Sequence, residues 1–535
     1  DRGRGAALRR RSWLGPLGRL VFHSAVALVV TAPLAWHLDR LPSGGEPDPT
    51  VTRFNLWTLR WTADRLPHGL SGWWDAPIFW PTHGTFAFSE PQPLTGLAFA
   101  WLRPLVGDVA AYSLLLIVAV TLNGLAAAAL ARRLGGRPMA AACAGVLAQG
   151  LPFIFDQFGV LQLVMVWPVF ATLAAVLGWR ERPAARQAAL VGLGLAACAF
   201  TCGYYAALFG LCFVVAAAVL VERDWRVDPD ERARRLGGLL IGVAVAGLLV
   251  APLLLGQLDR LSGRRWLDTT VLAGSARWSE WSPSGDLWPG VVLVGLAVAG
   301  VVLGRRRRTT WFFVVLALAA AVASTGRRLV VLGVQPWDLL ADHVGAIARL
   351  RSPFRAAALA QVALVALAVP ALDRLVAARS RLVRLAAPAL VVAGLLLAGV
   401  GPGTLEPVPD RPAWATWLDQ RPDGEPVVWL PFAPGTSTQD FVPTVDAMLA
   451  ALDTGHPLVN GYSGFFPLDH AERRERLAGF PDPVSLDALA SWGVGYAVVD
   501  RAWFADGGRT AAARRAGLTV LEEEESAVLV ALRPE

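Results

Sequence analysis

The stretch YAALFGLCFVVAAAVLVERDWRVDPDERARRLGGLLIGVAVAGLLVAPLLLGQ (205–257) decides how the chain is read. It holds two apolar runs, 205–222 and 236–257, each about the length needed to cross a bilayer, which is roughly 20 mostly apolar residues. Between them lies a short polar loop, Arg223 to Arg235, dense in arginine. Short arginine-rich loops are retained on the cytoplasmic side of a membrane. The stretch therefore reads as a helix entering the cytoplasm, a loop, and a helix leaving it.

The same unit recurs along the chain. About eleven spans are expected, near 18–38, 109–131, 138–153, 160–179, 187–204, 205–222, 236–257, 287–303, 309–325, 353–373 and 385–402. The first follows Arg9, Arg10, Arg11 and Arg19. It is read as a retained span and not as a cleaved signal, because the apolar run is long and no small-residue cleavage site follows it. With the N-terminus inside, every short arginine-dense loop falls on one side: Arg132, Arg133 and Arg137; Arg180, Arg182 and Arg186; Arg223 to Arg235; Arg305 to Arg308; Arg374 to Arg384. This arrangement places 39–108, 258–286, 326–352 and the tail from 403 outside. It also requires the apolar stretch 93–106 to lie in the interface or to re-enter.

Composition agrees. Of 535 residues, 55% are hydrophobic and 17% charged, and the mean hydropathy is +0.47. A soluble domain carries about 25% charged residues, so the excess apolar surface needs lipid. The net charge of +7 does not point to nucleic acid, since the charges sit in short runs beside apolar segments. Cys143, Cys198, Cys202 and Cys212 all lie in apolar stretches and read as small core residues. The seven histidines show no HxH or HExxH spacing, which argues against a transition-metal site. There is no Walker loop, no GxGxxG after a strand and no GxSxG elbow, so nucleotide hydrolysis is not expected of this chain.

The tail is a different material. PVVWLPF (426–432), GYAVVD (495–500) and SAVLVAL (526–532) read as buried strands, and VDAMLAAL (445–452) and SLDALASW (485–492) as helices. This predicts a soluble α/β domain at 403–535, joined through GPGTLEPVPDRP (401–412) as a linker, behind a transmembrane domain at 1–402.

Several outer segments hold residues that can carry chemistry. The first loop, 44–94, carries Glu46, Asp48, Asp64, Asp75, Glu90, His68 and His83, with Trp57, Trp61, Trp73, Trp74 and Trp80. Tryptophan favours the interface, so one reading lays this loop on the headgroups. Its aromatic and proline content argues instead for a packed loop. A carboxylate just outside the first span can act as a general base or hold a divalent cation, though any single acid there also reads as a solvated loop charge. In IARLRSPFRAAALAQ (347–361), Arg349, Arg351 and Arg355 stand on the outer side, where short loops avoid arginine. Arginine grips phosphate through a planar fork, and ordinary anionic headgroups are the plainer partner. Asp156 and Gln157 sit in the turn FDQFG (155–159), SARWSEWSPSGDLW (275–288) is a second aromatic and acidic loop, and HPLVNGYSGFFP (456–467) is a turn or a contacting loop in the tail.

These segments resemble the bacterial polytopic GT-C glycosyltransferases, including actinobacterial members with a soluble C-terminal tail. The resemblance rests on Asp48 followed by Trp57 and Trp61, on WDAPIFWPTHGTFAFSE (74–90), on QFGVLQLVMVWPVF (157–170), on RSPFR (351–355), and on HPLVNGYSGFFP with FPDPVSLDAL (480–489). It implies a GT-C-like membrane domain and an enzyme of the bacterial plasma membrane that works on the outer face. Such an enzyme takes a sugar from a polyprenyl-phosphate donor and passes it, with inversion, to a hydroxyl of a cell-envelope glycan, glycolipid or protein. It implies Asp48 as the catalytic acid. The family pattern of adjacent acids is here Glu46-Pro47-Asp48, which leaves Glu46 and Asp64 as rivals. It implies Arg349, Arg351 or Arg355 on the donor phosphate, with Asp75, His83, Glu90, Asp156 and Gln157 as substrate-contacting candidates, and it allows a magnesium or manganese ion. A flippase for a lipid-linked sugar and a non-catalytic membrane scaffold are the other readings of the same chain. A flippase would be expected to show internal symmetry, and none is visible in the sequence.

Overall fold

The computed structural model describes residues 15–43, 49–224, 229–262, 268–305, 307–422 and 424–533. Among the described residues, seven helices are long and apolar enough to cross a membrane: Asp108–Arg133, Pro138–Asp156, Leu161–Glu181, Gly203–Leu220, Pro229–Arg260, Pro353–Val376 and Arg381–Ala398. Four shorter apolar helices join them: Pro16–Val30, Ala185–Thr201, Val291–Gly304 and Arg308–Ser324. Each expected span thus has its helix. Pro16 and Pro138 open two of them, and Pro152 and Pro168 stand in the first turn of helical segments within Pro138–Asp156 and Leu161–Glu181, where a missing N–H costs nothing. Asp108 begins one helix and Arg132 and Arg133 end it, each matching the sign of the helix dipole.

Two units make up the chain. The first holds residues up to 37, 114–253 and 263–403. Its centre is Pro353–Val376, 83% buried, while Pro229–Arg260 at 17% and Arg381–Ala398 at 11% are largely exposed, as lipid-facing helices must be. Without a hydrophobic drive between helices in lipid, small residues set how closely they pack. Gly300 shows this: a Cβ there would sit 1.7 Å from the Leu367 carbonyl oxygen. Buried polar side chains find partners inside the bundle. His23 Nδ1 and Gln149 Oε1 are 2.8 Å apart, and Gln361 Oε1 accepts the Phe153 N–H at 3.2 Å.

The second unit gathers three pieces, 38–113, 254–262 and 404–535. Its larger sheet has the order β3 (Val427–Leu430), β4 (Tyr496–Asp500), β6 (Ala527–Ala531), β5 (Thr519–Glu523). β3 and β4 are parallel, and β4, β6 and β5 antiparallel. β3, β4 and β6 are the three strands expected. β5 was not expected: TVLEE is a charged edge strand, which is how exposed edges avoid pairing with other chains. Val428, Leu430, Phe480, Leu489, Val499, Val528 and Val530 fill the core around this sheet. The expected linker is partly ordered, because β2 (Leu405–Pro407) pairs antiparallel with β1 (Arg40–Pro42). The stretch 93–106 forms a helix, Pro93–Val106, which belongs to the second unit with the outer segments and not to the helical unit. It buries Thr95, Gly96 and Phe99 and exposes Trp101 and Leu105.

Candidate functional site

In the second unit, the first outer segment packs on its own aromatic residues. Helix Thr50–Arg65 buries Phe54, Trp57 and Trp61. Trp61 Nε1 donates to the Trp73 carbonyl at 2.8 Å, and Trp73 Nε1 to Thr62 Oγ1 at 3.2 Å. Trp57 and Trp73 are therefore packing residues, 1% and 7% exposed, not a layer laid on headgroups. Trp74 carries the Arg260 guanidinium over its ring, 5.2 Å from the centroid.

The segment 74–90 and the tail segment 456–467, read separately in the sequence, are joined. Leu458 N–H donates to the Pro77 carbonyl at 3.0 Å, and Trp80 N–H to that of Leu458 at 2.9 Å. A Cβ on Gly461 would come 3.0 Å from the Ile78 Cβ, so glycine eases the close approach. Asn460 uses both ends of its amide on Trp429 of β3: Oδ1 accepts the N–H at 3.1 Å and Nδ2 donates to the carbonyl at 2.9 Å. Arg473, 5% exposed, donates to the carbonyls of Phe79 and Trp80 at 3.1 and 2.7 Å and to Thr82 Oγ1 at 3.0 Å.

The candidate acids of this unit fall in several places. Asp48 and Glu46 lie outside the described residues. Asp64 faces Arg103, which also reaches Asp108 at 2.9 Å. Arg60 then links Asp108 at 2.9 Å to Asp453 at 2.6 Å. Burial works against the charge of Arg103, but Asp108 and Asp64 raise its pKa. This chain of ion pairs gives Asp64 a packing role. Asp75 Oδ1 accepts the Gly84 N–H at 2.8 Å and lies 3.6 Å from His83 Nδ1. That bond closes a turn in which Gly84 has φ 70°. His83 is exposed and Glu90 half-buried. Near the Thr50–Arg65 helix, Arg53 grips both oxygens of Asp446 at 2.7 Å. Burial still pushes the Asp446 carboxyl up, the effect of Arg53 being smaller.

The arginine cluster belongs to the first unit. Arg349 Nη1 donates to the Gly345 carbonyl at 2.9 Å. Arg351 N–H donates to Tyr204 Oη at 3.1 Å. The Arg355 guanidinium stacks over the Tyr204 ring, 4.3 Å from its centroid. Two of the three arginines thus meet one tyrosine. Gly274 lets the RSPFR turn settle there, since a Cβ would fall 2.2 Å from the Arg351 carbonyl oxygen. Arg355 is 9% exposed, and its Nε has no hydrogen-bond partner among the described residues. A buried donor left unmet costs roughly 1–3 kcal/mol, more when charged, so a site with this geometry is ready for an anion.

Sequence reasoning did not single out Tyr204. Its signal is the break at Thr201 to Tyr205 in the apolar run 187–222, where the expected spans 187–204 and 205–222 meet. The structure ends one helix at Thr201 and begins the next at Gly203, so Tyr204 stands at a helix start. Asp156 and Gln157 lie side by side, Gln157 Nε2 donating to Asp156 Oδ2 at 2.8 Å. Asp156 lines a cavity of about 680 Å³ together with Asp286, from the second aromatic and acidic loop. No group of three or more His, Cys, Asp or Glu suited to a metal occurs among the described residues.

A family described as a domain of unknown function (DUF6311) matches residues 65–272. No curated protein matches the chain. Among solved structures, ArnT from Cupriavidus metallidurans in the apo state is 16% identical, with a TM-score of 0.53 over 97% of this chain and 98% of that one. The same protein bound to undecaprenyl phosphate gives 16%, 0.53, 97% and 99%. The oligosaccharyltransferase of Archaeoglobus fulgidus in the apo form is 12% identical, with a TM-score of 0.52 over 92% of this chain and 70% of that one. At these identities the likeness establishes a fold, and that fold is the polytopic GT-C type.

Proposed function

We propose that a chain with the GT-C fold and this arginine cluster is a membrane glycosyltransferase. It takes a sugar from a polyprenyl-phosphate donor and passes it to an acceptor hydroxyl on the outer face of the bacterial plasma membrane. The observation that carries the reading is Arg355, a buried guanidinium with an unmet donor, in a fold shared across 97% of the chain with a protein bound to undecaprenyl phosphate. On this reading the N-terminus is cytoplasmic and the 404–535 tail extracytoplasmic. The acceptor is a glycan, glycolipid or protein of the envelope.

The chemistry asks two things of the residues. A base must take the acceptor proton as its oxygen attacks the anomeric carbon from the face opposite the phosphate, which inverts that centre. Asp48 takes this role, with Glu46 as the alternative beside it, because Asp64 is held in the ion-pair chain with Arg103. A cation must meet the charge that develops on the departing lipid phosphate, where electrostatic stabilisation counts most. Arg355 takes this role on the present reading, supported by Tyr204 stacked on its plane, with Arg349 and Arg351 nearby in sequence. Asp48 and Glu46 also have the chemistry to hold a magnesium or manganese ion.

The test is sugar transfer from radiolabelled polyprenyl-phosphate sugars in membranes holding the chain. Asp48→Asn is expected to lower the rate about 10²–10⁴-fold, the usual share of a general base, and Arg355→Gln about 10²–10³-fold, at equal protein level. Full transfer by both variants would sink the assignment of these residues. Failure of the unaltered chain with every donor, while it still binds the lipid-linked sugar, would sink the transferase reading.

A further inference from the structure

In the helical unit, the chain between the helices Arg308–Ser324 and Pro336–His343 closes on itself as a tight hairpin. Val331 N–H donates to the Val334 carbonyl at 2.8 Å, and Val334 N–H to that of Val331 at 2.9 Å. Leu332 and Gly333 turn the corner with φ 51° and 80°. Polar groups hold the base. Arg327 Nη2 donates to Gln335 Oε1 at 3.1 Å, and Gln335 Nε2 donates back to the Arg327 carbonyl at 3.1 Å. Arg327 also lies 3.2 Å from Asp338, and Arg328 Nε donates to the Ser275 carbonyl at 2.7 Å. Both arginines of the base are thus engaged, while the tip LVVLGV (329–334) carries no charge.

A hairpin facing water is built differently. Two positive φ angles in succession suit Asn-Gly or Asp-Gly, and here leucine takes the first place. Leu332 is 99% exposed, with Val330, Val331 and Val334 exposed beside it. A bulky residue at positive φ is strained, and in water this one gains no burial in return. Single exposed apolar residues are ordinary, but an unbroken apolar tip marks a contact surface. Position identifies the partner. The helix Arg308–Ser324 starts at the arginine-dense loop and runs about 25 Å, which brings its end near the far edge of a hydrocarbon core of about 30 Å. Leu318 and Val322 keep the last turns of that helix apolar and exposed, as a lipid-facing surface must be. The hairpin continues directly from this edge, so its polar base starts at the depth of the headgroups.

We propose that the tip 330–334 is a membrane anchor, inserted among the acyl chains of the leaflet opposite the arginine-dense loops. Its side chains leave water there, which offsets the strain at Leu332. Arg327 and Arg328 stay level with the headgroups, as arginine beside an apolar segment does. The anchor holds the segment 326–352, and with it the start of the Arg351 turn, against that leaflet. A second copy of the chain is the competing occupant of the tip.

The four native cysteines are buried, so a cysteine placed on the surface is the one that reacts. Leu332→Cys and Val330→Cys are each made in the full chain, labelled with a nitroxide and reconstituted in phosphatidylcholine nanodiscs. Leu248→Cys, exposed on the helix Pro229–Arg260, gives the lipid reference. Glu525→Cys, exposed beside the charged edge strand, gives the water reference. Power saturation by oxygen, which concentrates in lipid, is compared with that by a water-soluble nickel chelate. The oxygen-to-nickel ratio at 330 and 332 is expected to lie close to that at 248 and above that at 525. Two labelled positions guard against one variant failing to fold. A ratio at both positions equal to that at 525 would overturn the proposal. Loss of access to both reagents would overturn the lipid assignment, with dipolar broadening between labels marking a second copy on the tip. The readout does not depend on whether the chain transfers sugar.

Discussion

The Arg355 guanidinium lies buried against the face of Tyr204. A desolvated cation–π contact is worth about 2 kcal/mol, and it fixes the plane of the guanidinium as well as its energy. Tyr204→Phe keeps the ring and loses the hydroxyl that accepts the Arg351 N–H. Transfer by that variant is expected to stay within about threefold of normal, whereas Tyr204→Ala loses about tenfold or more, both measured at matched protein level. A second residue sets a pH limit. Burial, then Arg473 and Arg474, lower His470 from 6.5 to about 4. The folded state therefore holds His470 neutral, while the unfolded chain protonates it below about 6.5. Its contribution is fully present above pH 6.5 and is lost as pH falls from there towards 4, by a few kcal/mol at most (~1.4 per unit). Tryptophan fluorescence unfolding across pH 7 to 4 should show this slope, flattened in His470→Gln. Neither role was legible in the sequence. Tyr204 was one of two tyrosines at a break, and His470 one of seven histidines without a motif; what makes each special is a neighbour more than a hundred residues away, or burial by packing.

At the scale of elements the reading was far more successful, for a physical reason. Lipid asks a spanning helix to be apolar on almost every side for about 20 residues, so each span announces itself locally. Buried strands such as PVVWLPF announce themselves in the same way, whereas TVLEE, with charge on an exposed edge, does not. Close packing between helices is the part a hydropathy pattern misses. Gly300 and Gly295 lie on the same helix, yet a Cβ at Gly300 would strike the Leu367 carbonyl and one at Gly295 would meet nothing within 4 Å. Gly300→Leu is expected to destabilise the protein by about 2–3 kcal/mol, and Gly295→Leu to be tolerated. Thermal midpoints in detergent would separate them, and equal effects would contradict the packing described.

For the whole molecule, the second unit draws on three pieces of chain. Reading the sequence in order set the first outer segment with the spans and the tail apart. The pairing of 77–80 with 458–460 is made by backbone groups, and main-chain bonds leave no residue-type signature. The glycine at 461 and the amide of Asn460 are the marks it leaves in the sequence, and both also suit an ordinary turn. Arg473 is the side chain that spans the two pieces most fully. Arg473→Ala would leave the carbonyls of Phe79 and Trp80 without this donor, at a cost of about 3 kcal/mol. Limited proteolysis should then cut within 77–90 at protease levels that leave the unaltered chain whole, with the helical unit still protected.

The three-piece unit also puts a clock on biogenesis. The ribosome makes Leu38–Ser113 about 290 residues before it reaches Thr404. At about 5–20 residues per second that is roughly 15–60 seconds. Throughout that interval β1 has no β2, Arg53 has no Asp446, and the turn at Phe79 has no Arg473. The early segment must wait half-made, its strand edge open to chaperones and proteases, and a chain that stalls before its last quarter leaves that edge permanently uncovered.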